Sequence, residues 1–238
     1  MKLADLVGNL SPEEKFEKNT FVPDKNSLQK IIDIYDKSIQ LSFTNDDARV
    51  QHVTRELSTV EDLPHEYLQL ISERIPEPRD HRISDFLGAV CKKLIGNPTL
   101  ILHELRWRFG DKLDIGDRIV TVIGNVSVLG SCMQSGTIHL KGYVNSAGTG
   151  MYGGKLLVED TSFQTGPGMR GGHIYVKGDS HHVAWEATGG TITCYGEATG
   201  HLGYKSHSGC TIHLQGNQIP LIDNECKATI YHRGRKLQ

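Results

Sequence analysis

From residue 118 onward, apolar and polar positions alternate in short bursts separated by glycine. Seven segments repeat the pattern: Arg118-IVTVI-Gly124, Gly136-TIHLK-Gly142, Gly154-KLLVE-Asp160, Gly172-HIYVK-Gly178, Gly190-TITCY-Gly196, Cys210-TIHLQ-Gly216 and Ala228-TIYHR-Gly234. Successive side chains of a strand point to opposite faces, so the third and fifth positions of each burst share one face. The third positions are Val120, Ile138, Leu156, Ile174, Ile192, Ile212 and Ile230. The fifth are Val122, Leu140, Val158, Val176, Cys194, Leu214 and His232. β-Branched and aromatic residues favour strand, and no apolar spacing of three and four runs long enough for a helix.

The repeat has a fixed step. Starts at 118, 136, 154, 172 and 190 are 18 residues apart, the next step is 20, and the last is 18. Such a period predicts a solenoid, in which each coil buries its face only against its neighbours. Stacked parallel strands lie ~4.8 Å apart, so the coils predict a cylinder on the order of 30 Å long. Met133, Met151 and Met169 recur at the same step and are expected to stack inside. Gly124, Gly142, Gly148, Gly154, Gly166, Gly172, Gly178, Gly190, Gly196 and Gly216 punctuate the coils, where positive φ turns the chain toward the next one.

The residues before the repeat show helical spacing. Ser11-PEE is a candidate helix start, or part of an arm that orders on a partner. Ser27 is a candidate cap for a helix carrying Leu28, Ile31, Ile32 and Tyr35. Asp46 or Asp47 opens a second through Leu57, and Asp62-LPHEYLQLISERI a third with Pro64 in its first turn. Ser84 caps a fourth through Ile95. Pro98 opens a fifth that runs to Phe109 and, with Trp107, is expected to lie across the open end of the solenoid. The expected class is thus α+β: a helical or capping domain at 1–110, then a single-stranded parallel β-helix of about 6–7 coils at 111–238.

The glycines also carry a family resemblance. Gly142, Gly148, Gly150, Gly153 and Gly154 are followed by Gly166, Gly168, Gly171, Gly172 and Gly178, then Gly190, Gly196, Gly200 and Gly203. This spacing resembles the GXGXG β-helix domain. That domain forms the C-terminal part of the large glutamate synthase subunit. It also occurs as a separate, non-catalytic chain of formylmethanofuran dehydrogenase and of the related formyltransferase/hydrolase complex. The likeness covers about half the chain. It implies a right-handed β-helix that holds catalytic subunits or domains together and does no chemistry itself. Coil four departs from the pattern, with Ala184, Trp185 and Glu186 in place of Gly-x-Gly.

Composition narrows the function classes. Formal net charge is −2 over 238 residues, which gives no electrostatic case for nucleic acid or an anionic membrane. No apolar run approaches a membrane span. The five scattered cysteines fit a reducing cytosol better than a disulfide framework, so the expected location is cytoplasmic.

Candidate chemistry is sparse. Two strings match G-x-G-x-x-G, Gly148 to Gly153 and Gly166 to Gly171, but strand-like segments follow them and the match recurs at the coil period. They read as corners, not as a dinucleotide site. Gly154-Lys155 lacks the Ser or Thr of a phosphate loop. Cys194 reads as a small core residue. His181, His182, Glu186, His201 and His207 gather on the corner side of coils four and five. Of these, His182, Glu186 and His201 are candidate metal ligands or an acid–base set, without a recognised ligand spacing. The outward column His139, Tyr175, His213 and Tyr231 would suit protein contact. No catalytic or cofactor-binding residue and no cofactor is assigned. The expectation is a non-catalytic scaffold that binds a catalytic subunit or a second copy of itself. The alternative is a metal-dependent hydrolase or transferase at His182, Glu186 and His201.

Overall fold

The alternating bursts are strands, and all seven stack in register. The computed structural model describes residues 23–40, 46–74, 81–102 and 106–238. Among the described residues four helices come first: α1 (Lys25–Gln40), α2 (Asp46–Leu57), α3 (Tyr67–Arg74) and α4 (His81–Lys93). Two-residue strands β1 (Leu63–Pro64) and β2 (Leu94–Ile95) pair beside them. A β-solenoid of about seven parallel-stacked turns follows. Its long sheet contains β3 (Thr99–Ile101), β5 (Ile119–Ile123), β7 (Thr137–Lys141), β9 (Lys155–Val158), β11 (His173–Val176), β13 (Gly190–Cys194), β14 (Cys210–Leu214) and β15 (Thr229–His232). Its short sheet contains β4 (Arg106–Phe109), β6 (Val126–Leu129), β8 (Val144–Ala147), β10 (Ser162–Thr165) and β12 (Ser180–Val183).

Register puts like on like. Val120 lies beside Ile138, Ile138 beside Leu156, and so on through Ile174, Ile192, Ile212 and Ile230. Each of these is fully buried. The fifth-position column is buried from Val122 to Leu214, and half-buried His232 ends it with Nε2 2.9 Å from the Gly216 carbonyl. Met133, Met151 and Met169 form a third buried column, continued by Ala187.

Up to Val183 the glycine-rich half of each coil holds a strand as well as corners, which its sequence pattern does not announce; the last coils keep only isolated bridges there. Its inward residues are the first and last of four, as in Ser162-Phe163-Gln164-Thr165 and Ser180-His181-His182-Val183. This in–out–out–in order breaks the two-residue alternation, so no strand pattern is visible. Corners follow it. Gly148 and Gly150, then Gly166 and Gly168, adopt positive φ. Ala184 and Glu186 take the same conformation at φ 60° and 52°, so coil four keeps the corner without its glycines. The carbonyl ladder runs on through it, with Gly168 N–H donating to Trp185 O and Glu186 N–H to Tyr204 O.

The helices cap the N-terminal end, though not as expected. The segment expected as a fifth helix is strand: Thr99–Ile101 and Arg106–Phe109 start the two sheets. Gly110 takes positive φ and Phe109 is wholly buried, so this stretch behaves as a coil of the solenoid. Pairing with β5 and β6 outweighs the helical spacing of its leucines. Instead, α3 packs against β3 and α4 against β4. The Gln69 amide accepts from Ile101 N–H at 2.7 Å and donates to Ile101 O at 3.1 Å, closing the edge of the long sheet. Arg118 donates to the carbonyls of Lys92 and Leu94, tying the end of α4 to the coils.

Smaller differences have local causes. Asp24, not Ser27, caps α1, accepting from the N–H groups of Asn26 and Ser27. Pro64 sits in β1 ahead of α3, and Ser84 lies inside α4, where Oγ accepts from Asp111 N–H. Ile95 leaves the helix and is exposed. The basic tail turns back as β16 (Arg235–Lys236), antiparallel to β15. The expected start at Ser11 lies outside the described residues.

Candidate neutral aromatic face

The in–out–out–in strands of the short sheet push two residues per coil outward, and register stacks them. Asn145, Phe163 and His181 form one row; Ser146, Gln164 and His182 form the next. Bridges from Val183 to Leu202 and from Leu202 to Ile222 carry the second row on to His201 and Leu221. A third row comes from the corners, where the residue between two positive-φ positions is Asp111, Ser131, Thr149, Pro167, Trp185 or Tyr204. From Asn145 onward these three rows contain no Lys, Arg, Asp or Glu; nearer the N-terminal end they hold Arg108 and Asp111, which pair with each other.

The rings pack on each other. Phe163 stacks on His181 at 4.9 Å between centroids, and His181 meets His182 edge-on at 4.5 Å. His182 stacks on His201 at 5.7 Å, and Trp185 leans on Tyr204 at 4.5 Å. Phe163 and Trp185 each remain 41% exposed and Leu221 74%. Between the second and third rows a shallow pocket of about 210 Å³ is lined by Gln164, Pro167, His182 and Trp185.

Hydrogen bonds orient the imidazoles. His181 Nδ1 lies 2.7 Å from Thr199 Oγ1. His201 N–H donates to His182 Nδ1 at 3.2 Å, which puts the proton of the neutral ring on Nε2. Burial, with help from the neighbouring His181 and His201, holds the His182 pKa below the ordinary histidine value. His201 has Asp223 3.8 Å away.

The candidate metal set is brought together only in part. His182 and His201 stack, but their contact uses His182 Nδ1 as an acceptor. A metal on Nε2 would require the opposite tautomer. Glu186 is exposed at its strained corner and acts electrostatically on Lys205. His207 is exposed on the following turn. Among the described residues no three His, Cys, Asp or Glu side chains gather in a way that could hold a metal ion. Burial pushes the thiols of Cys194 to about 11, and of Cys91 and Cys210 to about 12, so they stay protonated at neutral pH.

The outward column of the long sheet has a different character. His139 is only 2% exposed, its Nε2 2.6 Å from Glu159, which also accepts from Lys177 at 2.7 Å. Burial opposes ionisation of Glu159, but the bonds from Lys177 and His139 outweigh it and keep the carboxyl below its usual pKa. His213 and Tyr231 stack at 5.0 Å, half-buried. Sequence patterning did not single out Phe163, Trp185 and Tyr204 as a group. The signal available was aromatic residues at coil positions that elsewhere hold Asn, Pro or Thr.

Comparison with protein-family models, with curated proteins and with solved structures found no match.

Proposed function

We propose that this chain is a non-catalytic assembly subunit that docks and positions a partner protein on its short-sheet face. The observation that carries this is the cluster Phe163, His182, Trp185, His201 and Leu221, solvent-facing and without formal charge. Interface centres are depleted in charge and enriched in aromatic rings. A stacked-strand rod also holds such a face rigid, which lowers the ordering cost of binding. The glycine corners support the GXGXG likeness, a right-handed coil with an 18-residue step, and a partner of the redox or formyl-transfer class. Among the described residues no helix is long and apolar enough to cross a membrane; the cytoplasm is the proposed place of work.

Affinity capture from native extract, with wild type and Trp185→Asp in parallel, tests this. A large catalytic subunit retained by wild type and lost with the variant is the expected result. Equal retention by both would remove the face from the proposal. A stoichiometric metal lost on replacing His182 and His201 would move the chain to the hydrolase or transferase class.

A further inference from the structure

Between the second and third rows of the short-sheet face a groove runs along the stacking direction. Pro167, Trp185 and Tyr204 form one wall, and Gln164, His182 and His201 the other. The pocket of about 210 Å³ opens in it, where the Gln164–Pro167 coil meets the His182–Trp185 coil. The backbone beneath is fixed by the carbonyl ladder: Trp185 O accepts from Gly168 N–H at 2.6 Å, and Pro167 O from Gly150 N–H at 2.8 Å.

Hydrogen-bonding groups around the pocket are one-sided. Among the described residues nothing accepts from the Trp185 indole N–H, the Gln164 amide or the His182 Nε2–H. The acceptors are mostly engaged. His182 Nδ1 takes the His201 N–H, the Pro167 and Trp185 carbonyls belong to the ladder, and the Ser146 and Thr149 hydroxyls bond each other at 2.9 Å. No charged side chain lines the pocket. At the corner, Glu186 and Glu225 both act on Lys205, and Asp223 lies beside His201. A matching ligand brings apolar rings and hydrogen-bond acceptors, with few donors and no charge. Proline supplies the ring and a carbonyl, and has no N–H. A sugar would bring hydroxyl donors with too few acceptors to meet them.

We infer that this groove binds a proline-rich segment in the polyproline II conformation, laid along the rod. This rests on the docking reading above and names what the partner presents. Such a segment is already extended when free, so seating it on aromatic rings costs little ordering. The repeats also agree. The polyproline helix turns once in three residues, or ~9.3 Å. Two coils of the rod rise by ~9.6 Å. A proline seated between Pro167 and Trp185 therefore places the residue three positions on beyond Tyr204, against His201 and the exposed Leu221.

Trp185 reports on its own pocket, being one of two tryptophans in the chain. Titrating the full chain with a blocked decaproline peptide should shift the tryptophan emission to the blue and saturate, with matching heat in calorimetry. A blocked glycine–serine decapeptide and a neutral glucose hexasaccharide should do neither. Trp185 and Gln164 are exposed, so the fold should tolerate their replacement, with circular dichroism unchanged. Trp185→Ala should weaken calorimetric binding of decaproline at least about tenfold, and Gln164→Glu should act in the same direction. No saturable binding up to about 1 mM peptide overturns the inference. So does binding that both variants leave intact, or binding of the hexasaccharide in place of decaproline. Capture from native extract tells this failure from that of the docking reading. A partner lost with Trp185→Asp, while decaproline fails to bind, leaves docking standing and removes the proline-rich segment. Decaproline binding with equal capture by wild type and variant keeps the proline site and removes the assembly role of the face.

Discussion

The two outer faces of the solenoid come from the same coils, yet they solve different problems. On the long sheet, outward polar groups are matched within the molecule: His139 with Glu159, Glu159 with Lys177. On the short sheet, Phe163, Trp185 and Leu221 are left facing water with no charge among them. Both sheets bury their inward columns, aliphatic in the long sheet and mixed with Ser162, Thr165 and Ser180 in the short one. Repetition therefore dictates the core, and freedom to specialise lies in the residues that point away from it. A face finished by internal pairs stabilises the rod; an unfinished one is available to something else.

Removing the shared core should break both faces together. Ile174 sits mid-column and fully buried. Ile174→Ala should cost about 2–5 kcal/mol in denaturant unfolding, through lost burial and the cavity left behind. Retention of wild-type stability would mean that the column is not the core.

The finished face should be the next most sensitive. Glu159→Ala leaves His139 buried without its partner, a loss of about 1–3 kcal/mol. The pH dependence has a defined sign. Glu159 has a depressed pKa when folded, so its contribution is complete above the ordinary carboxylate value of about 4.3 and is lost as pH falls through the folded value. Wild type should therefore lose stability in acid more steeply than Glu159→Ala. Parallel curves from pH 6 to pH 3 would show that the pairing is not energetic.

The corner of coil four offers a gain. Ala184 holds a left-handed conformation that costs a non-glycine residue about 1–2 kcal/mol. Ala184→Gly should relieve it, less the entropy of glycine, for a net gain of about 0.5–1 kcal/mol in unfolding free energy. A loss would mean that the buried methyl contributes more than the strain removes.

The unfinished face should respond least in stability. Folded His182 has a lowered pKa, so unfolded chains bind more protons as pH falls through about 6.5, and stability declines there. His182→Gln should flatten the melting temperature between pH 7.5 and 5.5. Trp185→Ala should change unfolding free energy by under about 0.5 kcal/mol, since the ring is largely outside the core. A large loss in that variant would mean that the face is structural after all.

The long sheet was legible residue by residue, because a strand buried on one face repeats every two positions and a solenoid repeats that motif. Helices α1 and α2 were legible from their apolar spacing, to within a few residues at the start of α1. Periodicity failed where burial ceased to alternate. Phe163-Gln164 and His181-His182 both face outward, so β10 and β12 looked like corners. It also misled at Thr99–Ile101 and Arg106–Phe109, where leucines spaced for a helix are drawn into the sheets by pairing with the coils above.

What the chain determined alone is the stacking of its coils, since each aliphatic residue needs the like residue of the next coil to leave water. Only the tertiary structure decided which polar residues meet. His182 lies beside His201 and Trp185 beside Tyr204 because register aligns them across a coil, and whether an outward histidine is paired or left exposed depends on those neighbours.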